Sequence, residues 1–162
     1  MASSLRKQIA CALVLGMLFL CQDAAFAQEA TLTNITVSNT RDDLLLYLNL
    51  EGAFSEKLKK AILSGVPATF SFLAKLNRVR NMWINPVIAD ITVIHTIKYD
   101  NLKKEFIVRR SWRNNEPEVT KSFGEAQKWM TEVNSIKIIP LGQLEKGQQY
   151  QLRTKAEVSK QT

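Results

Sequence analysis

Alternation of apolar and polar residues is the feature that most constrains how this chain folds. Its longest run covers residues 87–99, and one face of that run carries Val87, Ala89, Ile91, Val93, His95, Ile97 and Tyr99. Because successive side chains of a strand point to opposite sides of a sheet, this period of two indicates a half-buried strand. Further runs predict strands over residues 33–37, 44–50, 69–79, 105–110, 136–139 and 149–158. We therefore expect a mainly β fold, an antiparallel β-sandwich, with the nearly continuous apolar run at residues 44–50 as a central strand.

Two short helices are predicted in the connections between strands. Ser55 suits the N-cap of the first, and Gly65 followed by Pro67 ends it. A capping box, Ser-x-x-Glu, opens the second helix at Ser122 and Glu125. The apolar stripes of the two helices are Leu58, Ala61 and Ile62, and Phe123, Ala126, Met130 and Val133. A polar loop is predicted over residues 114–117.

The first 27 residues have the pattern of an export signal. Arg6 and Lys7 precede an apolar run over residues 9–20, and Ala25 and Ala27 frame a small-x-small cleavage site. An apolar run of this length is too short for a stable membrane anchor. We therefore expect the leader to be removed, leaving residues 28–162 as a single domain in the periplasm.

Both cysteines of the sequence, Cys11 and Cys21, fall within this leader. The mature domain is therefore expected to fold without disulfides and without thiolate-bound zinc. Lipid anchoring at Cys21 is an alternative, although Leu20 is bulky where lipid attachment favours a small residue. Secretion from the cell is the other alternative.

The chain is basic, with a formal net charge of +7. Such an excess favours attraction to anionic surfaces. Outside the cytoplasm we expect an anionic ligand or an envelope protein as the partner rather than nucleic acid. After the leader, no apolar stretch approaches the ~18 residues of a membrane-spanning helix, so no span is predicted in the mature chain.

A short pattern near the C-terminus resembles the tyrosine corner of immunoglobulin-like sandwiches. Tyr150 would return its hydroxyl to the backbone a few residues upstream, Gly147 would permit the close approach, and Leu144 would cover the end of the core. An ordinary loop before an amphipathic strand is the alternative. The corner also predicts a further strand after Val158, where only residues 159–162 follow. A shortened chain, an edge that accepts a strand from another protein, and a miscounted strand are the three explanations.

Three blocks of the sequence resemble a known family. They read EGAFS, SGVPATF and IKYDNLKKEF, at residues 51–55, 64–70 and 97–106. Over residues 30–158 the chain resembles an exported proteobacterial family catalogued as domain of unknown function 4390. The resemblance implies a leader, one β-rich domain, no established activity and a link to envelope signalling through sensor kinases. It also implies a further aromatic-rich strand, from which this chain departs by ending at Thr162.

The sequence contains no recognisable catalytic signature. His95 is the sole histidine, and an imidazole on an apolar strand face is expected to be a hydrogen-bonded core or rim residue. A metal site would need several converging carboxylates, and neither a nucleophile elbow nor a phosphate loop occurs. We therefore predict no catalytic residues, no metal and no cofactor, and we expect a protein that is not an enzyme.

Basic and aromatic residues form the strongest candidate binding site. They fall where two predicted strands end, and they are Arg78, Arg80 and Trp83, and Arg109, Arg110, Trp112 and Arg113. If the two sets meet at one end of the sandwich, their guanidinium groups beside flat indole rings suit a phosphate or a carboxylate. Solvated cations at strand ends, with tryptophan covering the core, are the alternative.

Two hypotheses for the function follow from these observations. The first is a non-enzymatic binding or interaction module of the envelope, linked to envelope signalling. The second is a binder or carrier of an anionic lipid or glycan, which would use the end rich in arginine and tryptophan.

Overall fold

The computed structural model of this protein describes residues 30–80 and 84–160, so the predicted leader and its cleavage site at Ala25 and Ala27 lie outside the described residues. Eight strands follow one another: β1 (Thr31–Asn39), β2 (Asp43–Glu51), β3 (Ala68–Arg78), β4 (Val87–Asp100), β5 (Glu105–Arg110), β6 (Pro117–Thr120), β7 (Glu132–Pro140) and β8 (Tyr150–Lys160). The helices are α1 (Glu56–Leu63) and α2 (Phe123–Thr131), and 3-10 turns cover Ser111–Arg113 and Leu141–Gln143.

These strands form two antiparallel sheets, which confirms the predicted mainly β sandwich. The smaller sheet has the order β1-β2-β7, and the larger has the order β6-β5-β4-β3-β8. Strand β2 is central in its sheet, as its apolar sequence predicts. The sheets and both helices enclose one core, in which Phe70, Ile97, Val108 and Met130 are fully buried. None of the helices in the described residues has the length and apolar character needed to cross a membrane.

The predicted caps define helix α1. The Oγ of Ser55 accepts a hydrogen bond from the N–H of Leu58 at 3.2 Å, so the helix begins at the next residue. At the other end, Gly65 has a left-handed φ of +89°, and a Cβ there would lie 3.0 Å from Nδ2 of Asn101. The dihedral angle requires glycine, and a Cβ would also push against the exposed Asn101 side chain.

Helix α2 departs from the prediction at both ends. Ser122 Oγ accepts from the N–H of Glu125 at 3.3 Å, as predicted, but the return contact passes through Thr120. The Oγ1 of Thr120 accepts from the N–H of Ser122 at 3.0 Å and donates to the Glu125 carboxylate. The assignment of Val133 to the helical stripe is wrong: α2 ends at Thr131, and Val133 is buried in β7, where pairing with β2 extends the chain.

Strand β6 is an element that the sequence analysis missed. Its first residue, Pro117, falls in the predicted polar loop, yet the segment pairs with β5 from Phe106 to Arg109. Proline cannot donate to a sheet, so it is tolerated at the first position of an edge strand, where it conceals the strand pattern.

The hydrogen bond predicted for the tyrosine corner is present. The Tyr150 hydroxyl accepts a hydrogen bond from the backbone N–H of Glu145 at 2.8 Å. Gly147, with φ of +78°, forms the bend between them, and half-buried Leu144 packs against the core. Strand β8 begins at this corner and pairs with β3 alone among the described strands, so it lies at an edge of the larger sheet.

Removing the corner hydroxyl tests this arrangement. We expect Tyr150→Phe to lower the free energy of unfolding by about 1 kcal/mol, because the Glu145 N–H loses its acceptor. Urea titration followed by circular dichroism measures the change. Tyr99→Phe is the matched control, because within the described residues no hydrogen bond to the Tyr99 hydroxyl is found. Equal losses in the two variants would contradict the corner's role.

Candidate functional site

Among the described residues, the arginines and the tryptophan singled out from sequence do not form one site. Arg110 lies opposite His95 on β4, which in turn lies opposite Phe70 on β3. Arg78 follows Phe70 eight positions later along the same strand. At ~3.3 Å per residue, the ends of β3 and β5 are therefore separated by about 26 Å along the strand direction. The structure keeps the two sets apart because β5 ends level with the middle of the larger sheet.

Within the first set, Arg78 belongs to the tyrosine corner. Arg78 is half-buried and pairs with the carboxylate of Glu145, the residue whose N–H bonds to Tyr150. Arg80 is exposed, and its backbone N–H donates to Oδ1 of Asn85 at 2.9 Å. Trp83 lies outside the described residues. Arg78 is therefore occupied by a structural contact, and Arg80 is an accessible cation of this set.

The second set surrounds a buried ion pair. Arg110 is 5% exposed, and its Nε and Nη2 donate to Oε1 of Glu118 at 2.9 and 2.6 Å. Arg113 approaches the same carboxylate at 3.6 Å, and half of its side chain is exposed. Arg109 is exposed and donates from Nη1 to the carbonyl of Asn115 at 2.9 Å. One carboxylate thus faces the guanidinium groups of Arg110 and Arg113, which leaves a local excess of positive charge.

Trp112 connects this ion pair to the core. The guanidinium carbons of Arg110 and Arg113 lie 5.1 and 5.2 Å from its ring, within the range of cation–π contacts. Its indole Nε1 donates to Nε2 of His95 at 3.0 Å. The ring is therefore fixed by a hydrogen bond and by two cations.

His95 is a hydrogen-bonded core residue, as predicted. It is fully buried, its Nδ1 donates to the carbonyl of Met130 at 3.0 Å, and its Nε2 accepts from Trp112. These two contacts hold the neutral imidazole with its proton on Nδ1. The pKa of His95 is lowered from 6.5 to about 4: burial is the main cause, the Met130 carbonyl opposes it, and the charges of Arg110 and Glu118 make smaller contributions of opposite sign. Both ring nitrogens are thus engaged inside the protein.

An open cleft of about 530 Å³ lies beside Trp112. Its lining residues are Ile91, Thr92 and Val93 from β4, Ser111 and Trp112 from the 3-10 turn, and Ser135, Ile136 and Lys137 from β7. Lys137 is paired with Asp43 at 2.7 Å. The cleft therefore combines an apolar lining with small hydroxyl groups and one neutralised cation.

The backbone of β4 is unpaired on one side beside this cleft. Strand β5 pairs with β4 from His95 to Asp100, and no other described strand continues along residues 87–93 on that side. The N–H of Ile94 points to this side, because it donates to Oγ of Ser111 at 2.9 Å. Alternate residues of a strand direct their backbone groups to the same edge, so Thr92 and Asp90 present theirs there.

Glu118, Ser111 and the free edge of β4 are the parts of this region that sequence analysis missed. Glu118 follows the proline that concealed β6, and Ser111 directly follows the last residue of β5. The sequence signal for Ser111 is a serine that directly follows a short strand beside a longer one, where its hydroxyl can accept from the next N–H of the longer strand. Among the described residues, no three His, Cys, Asp or Glu side chains are grouped so as to hold a metal ion.

Comparison with known proteins gives one match. Residues 27–162 are similar to the family model described as Domain of unknown function (DUF4390). No curated protein and no solved structure matches the chain.

Proposed function

We propose that this chain, which belongs to the DUF4390 family, is a non-enzymatic binding module of the cell envelope that takes an extended polypeptide segment beside Trp112. The observation that carries the proposal is the free backbone edge of β4 at Asp90 and Thr92, which runs along the Trp112 cleft. Domains that accept a peptide as an added strand use this combination, because the edge supplies affinity and the adjoining pocket supplies specificity.

The cleft suggests the chemistry of the segment. Main-chain hydrogen bonds to Asp90 and Thr92 would align it with β4, and every second side chain would then enter the cleft. The apolar lining around Ile136 suits an aliphatic or aromatic side chain there. The excess positive charge beside Trp112 favours an acidic residue, placed within reach of Arg113.

The buried network supports binding rather than catalysis. Both nitrogens of His95 are engaged, and the charge of Arg110 is balanced by Glu118. His95 and Arg110 thus hold Trp112, one wall of the cleft, in place. A fixed aromatic wall lowers the entropy that a ligand must lose on binding.

The predicted leader supports a place outside the cytoplasm. There the resemblance described above implies a link to envelope signalling. In that setting the partner would be an exposed, extended segment of another envelope protein.

Selection from a phage-displayed library of random linear peptides, each of about twelve residues, tests the proposal. We expect the purified protein to enrich peptides that carry an apolar residue next to an acidic one. A selected peptide is then synthesised, and its Kd is measured by calorimetry. Failure to enrich any peptide over an uncoated surface would contradict the proposal.

Substitutions at and beside the free edge of β4 test whether the selected peptide binds by strand addition. Thr92→Pro removes the free N–H and should raise Kd by more than about tenfold, whereas Thr92→Val keeps that N–H and should leave Kd unchanged. Arg113→Glu should raise Kd by about tenfold, and Arg153→Glu, the same change of charge on β8, should not. Circular dichroism confirms that each variant is folded. Equal binding by the two Thr92 variants would exclude strand addition.

An anionic lipid or glycan is the alternative ligand. It needs both arginine sets together, and the register of β3, β4 and β5 separates them. Binding to anionic phospholipid vesicles that is lost at high salt and in Arg80→Ala would favour it.

A further inference from the structure

Three of the four outermost strands of the sheets in the described residues carry features that hinder pairing with another chain. Strand β6 has four residues and begins with Pro117. Strand β1 is interrupted by a shift of register at Asn34, whose φ is +53°. Strand β7 has two such shifts, and Ser135 has φ of +58°. Short length, proline and bulges are three of the devices by which natural sheets protect their edges.

Strand β8 has none of these features. Its 11 residues pair with β3 one to one, with no shift of register from Tyr150 to Lys160. On its inner face Leu152 and Ala156 are partly buried against the core, and Val158 is 40% exposed. A long, regular edge with incompletely covered apolar side chains is the kind of edge to which another strand adds.

We infer that β8 is an interface between two copies of this chain, which pair their β8 strands antiparallel and join two five-stranded sheets into one. The inference is independent of the peptide site proposed above, because β8 and the free side of β4 lie on opposite sides of β3.

The charges on the outer face of β8 favour a second copy as the partner. Arg153, Lys155 and Glu157 alternate with the inner residues, and Lys155 and Glu157 pair within the strand at 2.7 Å. In an antiparallel pair with its two-fold axis at Ala156, Lys155 of one copy lies opposite Glu157 of the other. The same register repeats this contact on the other side of the axis. Four charges of alternating sign then meet, and opposite charges directly across a strand pair are stabilising.

The inner face agrees with this register. Side chains directly opposite in an antiparallel pair share a face, so Thr154 lies opposite Val158 of the other copy. The exposed part of Val158 would then be covered in both copies. A register with its axis at Thr154 would instead place Arg153 opposite Lys155, which like charges disfavour.

Sedimentation equilibrium of the purified protein tests the inference. We expect a monomer–dimer equilibrium between about 1 and 200 µM, the range in which a small interface associates. Lys155→Glu and Glu157→Lys should each raise the dimer Kd by about tenfold or more, because each creates two like-charge contacts. The double variant should restore the original Kd.

Two changes elsewhere on the surface serve as controls. Lys121→Glu and Glu116→Lys make the same charge changes at exposed positions on either side of β6, at the opposite edge of the sheet, and they should leave the dimer unchanged. A protein that is monomeric at every concentration would overturn the inference. A dimer with a Kd that neither single variant alters would overturn it as well.

Discussion

Replacing Glu118 with leucine should lower the free energy of unfolding by about 3–5 kcal/mol. Glu118 supplies the carboxylate that faces Arg110, whose side chain is 6% exposed. Without it the guanidinium stays buried beside Trp112 with neither a counter-charge nor the acceptor for its Nε and Nη2. An unpaired charge held out of water is among the most costly defects that one substitution creates.

Urea unfolding at neutral pH measures this loss. Two further variants, a control and a rescue, show whether the loss comes from the unpaired charge. Glu116→Leu removes an exposed carboxylate two residues earlier and should change the unfolding free energy by less than about 0.5 kcal/mol. Arg110→Met combined with Glu118→Leu removes both charges and should recover most of the loss. A small effect of Glu118→Leu, or no recovery in the double variant, would mean that the Arg110–Glu118 pair does not stabilise the fold.

Acidification should destabilise the protein through His95. The folded protein keeps this imidazole neutral down to a pKa of about 4, whereas in the unfolded chain it takes up a proton near 6.5. Between these two values the unfolded state binds more protons, so stability falls as the pH falls. The full contribution is present above pH 6.5. About 3 kcal/mol is lost by pH 4 and stays lost below it.

The sequence makes this effect easy to isolate, because His95 is the only histidine. The wild type and His95→Gln contain the same carboxylates, so the difference between their unfolding free energies cancels the titration of those groups. We expect the variant to be less stable at pH 7 and the difference to shrink steadily as the pH falls from 6.5 to about 4. Parallel curves over this range would show that His95 does not stay neutral in the fold.

Features that depend on residues close together in the sequence can be predicted from the sequence. The cap at Ser55, the helix end at Gly65 and the hydrogen bond from the Glu145 N–H to Tyr150 each depend on residues within a few positions of one another. Turn and cap chemistry acts over that range, so a single sequence carries it. The period of two in β4 likewise places His95 on the buried face.

Features that depend on strand register cannot be predicted from the sequence in the same way. The sequence shows that strands end near Arg78 and Arg110, but not at which level of the sheet each one ends. Strand β3 has 11 residues and β5 has six, and the ladder through β4 separates their ends. The contact between His95 and Trp112 depends on the same ladder, together with the 3-10 turn that follows β5.

The free edge of β4 could not be predicted from the sequence for a related reason. It exists because β5 stops opposite His95 while β4 extends further, and Ser111 then occupies the next N–H, that of Ile94. A missed strand contributed as well, since β6 carries the carboxylate that fixes Arg110 and, through it, Trp112. Both facts concern how elements of different length align, which hydrophobic periodicity alone does not encode.

The most direct measurement of the central claim is amide hydrogen exchange at Asp90 and Thr92, with and without a selected peptide. If an extended segment adds to β4, these two backbone N–H groups become hydrogen-bonded and their exchange slows by about tenfold or more at saturation. Thr96, whose position on β4 is already paired with β5, should exchange at the same rate in both samples. Saturating peptide that leaves the exchange of Asp90 and Thr92 unchanged would contradict the claim.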